Sequence, residues 1–245
     1  MGNLKLNKTT LDNNTAVNEG GGVDVESDAT ADITRSQFTF NNAGTLGGGL
    51  QSDGTVTTDG VVFSRNFATN NGGAIDHDNG DAVYRDTTLK NNTSGLFSAG
   101  IDIDGGTVQF INSKIIDNIT PASGAGGIFN QASLTLIRTE VSGNVAGGPD
   151  GKGGGIFEQG GTLVLRHSSV DRNSTNGSGN SQAGGIYNQG GAVTLDHSEV
   201  NNNASTIAPG GVDTDTQFTV TRSQIRNNTP TNCDGSPVIV TGCVG

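Results

Sequence analysis

The chain has 245 residues with 40 glycines, 31% apolar residues, 15% charged residues and no tryptophan. The apolar share is too low for an ordinary compact globule. Collagen is excluded because only five prolines are present and the glycines cluster, and a disordered chain would not space its Val, Ile and Leu regularly. A net charge of -11 and a pI near 4.4 set the average surface against phosphate backbones and anionic membranes, so nucleic-acid binding is not expected.

The N-terminal stretch MGNLKLNKTT lacks the apolar segment of a signal peptide, and no apolar run approaches the roughly 18 residues of a membrane helix. No membrane insertion is expected. Met1-Gly2 reads as a start added to an excised segment, so a missing leader says nothing about compartment.

Two ladders then run through the chain. Glycine-rich tetrapeptides end at Val23, Leu50, Ile75, Ile101, Ile128, Ile156, Ile186 and Val212, at spacings of 25 to 30 residues. In step with them, an apolar residue precedes an Asn by three positions, from Leu11/Asn14, Phe38/Asn41 and Phe63/Asn66 through Ile115/Asn118 and Val141/Asn144 to Ile225/Asn228. Upstream of each pair lies an alternating segment such as Val108/Phe110, Leu134/Leu136 or Leu163/Leu165, the pattern of a short strand with one buried face. Each repeat therefore predicts three short strands and no helix. A strand-only period in the twenties indicates a parallel β-solenoid, whose aliphatics stack in columns shared between coils. Nine coils at about 4.8 Å make a rod roughly 43 Å long.

The Asn column has a physical reason, since an amide at a bend can bond the equivalent amide one coil away. Asn92, Asn118, Asn173 and Asn203 also open formal glycosylation sequons, but an inward amide cannot carry a sugar. The insertions at Gly147 to Lys152 and Asn176 to Ser181 fall in one loop, along one edge of the rod. At the C-terminus, Cys233 and Cys243 lie ten residues apart, as a disulfide closing the final loop or as two free thiols. The expected division is a repeat domain over 1-228 and a C-terminal cap over 229-245, with an open N-terminal edge at Leu4 to Leu6 able to meet another domain or protomer.

The tetrapeptides Gly72-Gly73-Ala74-Ile75 and Phe63-Ser64-Arg65-Asn66 resemble the GGAI and FxxN repeats of polymorphic outer-membrane protein passengers. More broadly, residues 4 to 228 resemble bacterial pectate-lyase-like β-helices. The resemblance implies an all-β fold, a single right-handed parallel β-helix of about nine coils of roughly 26 residues. With the cysteine pair, it also implies a secreted or cell-surface location of bacterial type. It says less about function, because that fold hosts lyases, hydrolases, tailspikes and adhesins.

If the aliphatic after the glycines points inward, the residues one and three further on point outward. The first outer column is Asp24, Gln51, Asp76, Asp102, Phe129, Phe157, Tyr187, Asp213, and the second is Glu26, Asp53, Asp78, Asp104, Gln131, Gln159, Gln189, Asp215. Stacked carboxylates repel unless solvated, protonated or bridged by a hard cation, so Asp76, Asp78, Asp102 and Asp104 are candidate Ca²⁺ ligands. The simpler reading is a solvated acidic face. Phe129, Phe157 and Tyr187, flanked by Gln131, Gln159 and Gln189, form a candidate platform for stacking sugar rings, or else a ladder of rings that only stabilises neighbouring coils.

For catalysis the candidates are Asp76 and Asp102, with His77 as a general base or metal ligand and Arg85 as the base a pectate lyase would need. His167 and His197 share an outer row with Arg138 and Arg222, a mildly basic stripe. No nucleophilic triad, phosphate loop or zinc spacing is present. The sequence therefore favours a non-catalytic extracellular β-solenoid, adhesin-like, that presents an elongated face to a polysaccharide or cell-surface glycan. The alternative is a Ca-dependent polysaccharide lyase or related carbohydrate-active enzyme.

Overall fold

The computed structural model describes residues 2–243 and is a parallel β-helix. Met1, Val244 and Gly245, which the expected domain limits include, lie outside the described residues. Each of the first eight coils contributes one strand to each of four sheets, here numbered 1 to 4 in the order the chain meets them, and among the described residues the ninth adds one strand to sheet 1 and one to sheet 2. Sheets 1 and 2 have nine strands, sheets 3 and 4 eight, and every pairing is with the preceding or following coil. No helix occurs among the described residues.

The fourth coil illustrates the unit: Asp81–Arg85 in sheet 1, Thr88–Lys90 in sheet 2, Thr93–Ser94 in sheet 3 and Ile101–Ile103 in sheet 4. Three strands per repeat were expected and four are found. The additional one is the two-residue strand after the ladder Asn, too short to carry an alternation a sequence could display.

Both sequence ladders emerge as physical columns. Ile75 pairs with Ile101 and Ile101 with Ile128, so the aliphatics behind the glycines stack coil on coil. Phe38, Phe63, Leu89, Ile115, Val141, Val170 and Val200 form a second buried column, with the Phe38 and Phe63 rings stacked at 4.5 Å. The preceding glycines allow the close turn. A Cβ at Gly73 would lie 2.6 Å from the carbonyl oxygens of Ala99 and Thr93.

The Asn column lies inside the bend between sheets 2 and 3. Asn118 is fully buried; its N–H and Nδ2 both donate to Asn144 Oδ1, at 3.0 and 2.9 Å, and Nδ2 also donates to Leu89 O at 3.1 Å. The residue before each ladder Asn takes a left-handed conformation, as at Asn91 and Asp117, both with φ of 56°. The amide bonds thus hold a backbone shape that most residues resist. A second ladder went unread in the sequence. At the bend between sheets 1 and 2, Thr139 N–H donates to Ser168 Oγ at 3.1 Å, Ser168 N–H to Ser198 Oγ at 3.1 Å, and Ser198 N–H to Ser223 Oγ at 2.9 Å.

The two ends differ. Among the described residues Asn3–Asn7 is an edge strand that pairs only with Thr30–Thr34, leaving Leu4 and Leu6 half-buried. At the other end Asn232 Oδ1 accepts from Asn228 N–H and Nδ2, which closes the Asn ladder within the chain. Cys233 and Cys243 are disulfide-bonded and no cysteine is free. Val240 is buried against the last coil, and Val238 N–H donates to Thr214 O at 3.0 Å.

Candidate functional site

The outer face of sheet 4 is where the sequence places chemistry, and its registration follows the outer columns. Asp76 pairs with Gln51 and Asp102, Asp102 with Phe129, Phe129 with Phe157, and Phe157 with Tyr187. The first column forms a floor and the second a rim. Asp76 and Asp102 are each only 1% exposed, whereas Asp78 is half-buried and Asp104 exposed. The solvated acidic face expected here is therefore corrected at its floor: the strand aims these carboxylates outward, but the structure around them closes off water.

No oxygen of Asp76 or Asp102 accepts a hydrogen bond of good geometry, and the Ile103 N–H only partly opposes the effect of burial at Asp102. Burial raises the pKa of Asp76 well above the usual carboxylate range, and the charges of Asp102, Asp78 and Asp104 add to the shift. Asp102 is raised in the same way, first by burial and then by Asp104 and Asp78. Unpartnered carboxylate oxygens are the donors a hard cation takes. Even so, no group of three or more His, Cys, Asp or Glu side chains is arranged to hold a metal among the described residues. The floor thus offers the right donor chemistry without a preassembled cage.

The other candidates for catalysis do not join this floor. His77 alternates with Asp76 and points inward, fully buried, with Nε2 3.3 Å from Gly80 O and Nδ1 unpartnered. Burial lowers its pKa. His77, expected as a general base or metal ligand or else as a solvated strand residue, is instead an interior side chain, as strand alternation implies. Arg85 ends the sheet 1 strand Asp81–Arg85 and lies exposed on a different face.

The aromatic half of the floor is a small core of its own. Phe129 and Phe157 meet edge to face at 5.0 Å, Phe157 and Tyr187 at 5.2 Å, and Phe97 leans on Phe129 at 5.4 Å. Phe129 is 5% and Phe157 6% exposed, and Ala125 packs with them. The expected open platform is corrected: these two rings are covered, and Tyr187 alone keeps part of its surface. Lys152, which the sequence reading did not single out, lies with Nζ 4.3 Å from the Tyr187 ring centre and donates to its hydroxyl at 3.1 Å. Beside the rings, Gln131 Nε2 donates to Gln159 Oε1 at 2.7 Å, and Gln159 Nε2 to Gln189 Oε1 at 3.2 Å. Gln131 and Gln189 are exposed and Gln159 half-buried. Asp213, at the far end of the floor, is buried and its pKa is pushed up to about 6, burial outweighing the charge of Lys152.

The basic stripe lies elsewhere, at the bend between sheets 1 and 2. His167 and His197 stack at 4.9 Å, and His197 Nδ1 lies 2.8 Å from Asp196 Oδ1. Glu140 lies across the same groove and pairs with Lys114 at 3.4 Å and Arg172 at 4.0 Å. The stripe is therefore mixed in sign.

No helix among the described residues is long and apolar enough to cross a membrane. No protein-family model and no curated protein matches the sequence. Among solved structures the chain is similar to the crystal structure of pectate lyase Pel9A, with a TM-score of 0.56 and 14% sequence identity, over 99% of this chain and 70% of that one. At that identity the likeness establishes the fold, a right-handed parallel β-helix of the pectate-lyase type, in agreement with the nine stacked coils.

Proposed function

We propose that the chain is a non-catalytic β-helix, secreted or displayed at a cell surface, that holds a polysaccharide or cell-surface glycan along the outer face of sheet 4. The observation that carries this reading is the row of Gln131 and Gln189, both exposed, with the half-buried Gln159 between them, one amide per coil, beside the partly open Tyr187 ring. Amides repeated at coil spacing suit the hydroxyls of a chain lying along the rod, and a ring edge supplies apolar contact. The disulfide agrees with an oxidising compartment. The positions of His77 and Arg85 support a binding role, since neither basic candidate reaches the acidic floor. A glycan array followed by affinity electrophoresis tests it: Gln159→Ala and Tyr187→Ala should each weaken retention by at least several-fold, while Thr219→Ala on sheet 1 should not. Equal retention of all three variants refutes the site.

A second reading, a Ca-dependent polysaccharide lyase, is favoured by one observation, the unpartnered oxygens of Asp76 and Asp102 below Asp78 and Asp104. The fold likeness to a pectate lyase points the same way. Pectate and alginate incubated with the protein and Ca²⁺ decide it by ultraviolet absorbance. Unsaturated products lost in Asp102→Asn would replace the binding reading with the enzymatic one.

A further inference from the structure

The inner column that contains His77 continues through later coils as Asn130, Glu158 and Asn188. Glu158 is fully buried in the interior, where an ionised carboxylate is costly unless paired. It has no charged partner. The strands on either side, Ile128–Asn130 and Ile186–Gln189, face it with the amides of Asn130 and Asn188, and the following bend contributes the Gly161 N–H. No titratable or charged side chain acts on it from any of these elements.

The hydrogen bonds divide its two oxygens. Oε2 accepts from Asn130 Nδ2 at 2.5 Å, while Oε1 has no partner. The Asn188 amide is oriented by its Nδ2 contacts: Gly191 O at 3.2 Å, which can only accept, and Thr214 Oγ1 at 2.9 Å and Thr216 Oγ1 at 2.8 Å, whose own protons go to Thr216 O and Gly191 O. Its Oδ1 therefore looks the other way, and it too has no partner. Both orphan oxygens border one spot: a methyl group on Gly191 would sit 2.7 Å from Glu158 Oε1 and 2.8 Å from Asn188 Oδ1. Neither of these two oxygens receives a hydrogen bond of good geometry, an unfavourable arrangement for buried acceptors, and one proton between them resolves it.

We propose that Glu158 is a protonated carboxylic acid whose Oε1–H donates to Asn188 Oδ1, a proton-dependent latch between the sixth and seventh coils. The side chain then makes one bond to each neighbouring coil, accepting from Asn130 and donating to Asn188. Loss of the proton turns the second contact into repulsion between a carboxylate and a carbonyl oxygen, and the joint loosens. The latch does not depend on what the outer face binds. Burial, which pushes the Glu158 pKa up to about 7, sets the release near neutral pH.

The chain has five glutamates, Glu19, Glu26, Glu140, Glu158 and Glu199, so carbon-13 at the glutamate carboxyl gives a five-line spectrum free of the many aspartates. In a pH titration of the full chain, one resonance should keep its acid-form shift to near neutral pH, and that resonance should be missing in Glu158→Gln. The fall in melting temperature between pH 6 and pH 8.5 should also be smaller in Glu158→Gln, whose amide stays neutral and can still donate. Should Glu158→Gln fail to fold, Asn188→Ala serves: removal of the acceptor should move the late midpoint to lower pH and leave the other four resonances in place. Five resonances titrating together in the ordinary range, or a late midpoint unmoved in Asn188→Ala, would overturn the proposal.

Discussion

Asn118 shows how one residue type can hold a backbone together: each ladder amide is donor to the next coil and acceptor from the one before, so deleting one strands groups on both sides. Asn118→Ala should cost roughly 1 to 3 kcal/mol in urea unfolding, whereas Thr162→Ala, an exposed position, should cost little. Equal losses would argue against the ladder. Asp102 predicts the opposite sign. Because its carboxylate is buried without a partner, Asp102→Asn should raise the melting temperature at pH 8 in the presence of a chelator and change it little at pH 4, where the native carboxyl already carries a proton. If Ca²⁺ stabilises the wild type and not Asp102→Asn, the orphan oxygens are cation ligands. Much of this was legible in the sequence, since a ladder Asn repeats with an apolar residue three positions before it. The burial of Asp102 was not, because outward direction along a strand does not reveal whether neighbouring loops close over the side chain.

Sheet 4 makes the same point for an element. Its registration and its split into acidic and aromatic halves follow from the glycine tetrapeptides, as does the pairing of the Gln row. What escaped were contacts from outside the repeat: Phe97 reaches across to Phe129 from a loop, and Lys152 sits over Tyr187 from an insertion. Loop residues break the period, so periodicity carries no information about them. His77, expected as a base or metal ligand, and Glu158, which carried no expectation, both stand two residues after the aliphatic, where strand alternation turns a side chain inward. The consequence separates two ring substitutions. Phe157, packed between Phe129 and Tyr187, should cost about 2 to 4 kcal/mol of stability when replaced by Ala, and any loss of glycan retention would follow from that. Tyr187→Ala should cost less stability and act on retention directly. Paired urea unfolding and affinity electrophoresis on both variants check this, and the reverse order would mean that Tyr187 is the structural ring.

At the scale of the whole rod, stability is shared between neighbouring coils and so depends on conditions that act on many coils at once. The carboxyls of Asp76, Asp102, Asp213 and Glu158 are all raised by burial. A carboxyl whose native pKa is raised contributes stability that is complete below its unfolded value, near 4, and is lost as pH rises through its native value. Glu140 has the opposite sign: Ser142, Lys114 and Arg172 hold its pKa low against a smaller effect of burial, and its contribution is lost as pH falls. Asp24 and Asp104 are raised as well, burial being the first cause for each, and six raised groups against this one predict a higher melting temperature at pH 5 than at pH 8, with self-repulsion at a net charge of -11 adding to it. A flat melting profile over that range would mean that water reaches these carboxyls. The two ends of the rod should respond unequally to disruption. The last coil is closed by Asn232 and by the Cys233–Cys243 loop that places Val240 against the core, whereas the first coil leaves a strand edge open. Reduction of the disulfide should therefore speed amide hydrogen exchange first at Gln224–Arg226 and Val212–Thr214, the strands beneath the cap, and leave exchange at Asn3–Asn7 unchanged. Mass spectrometry of exchange before and after reduction resolves the two ends, and simultaneous loosening of both would show the rod to open as one cooperative unit.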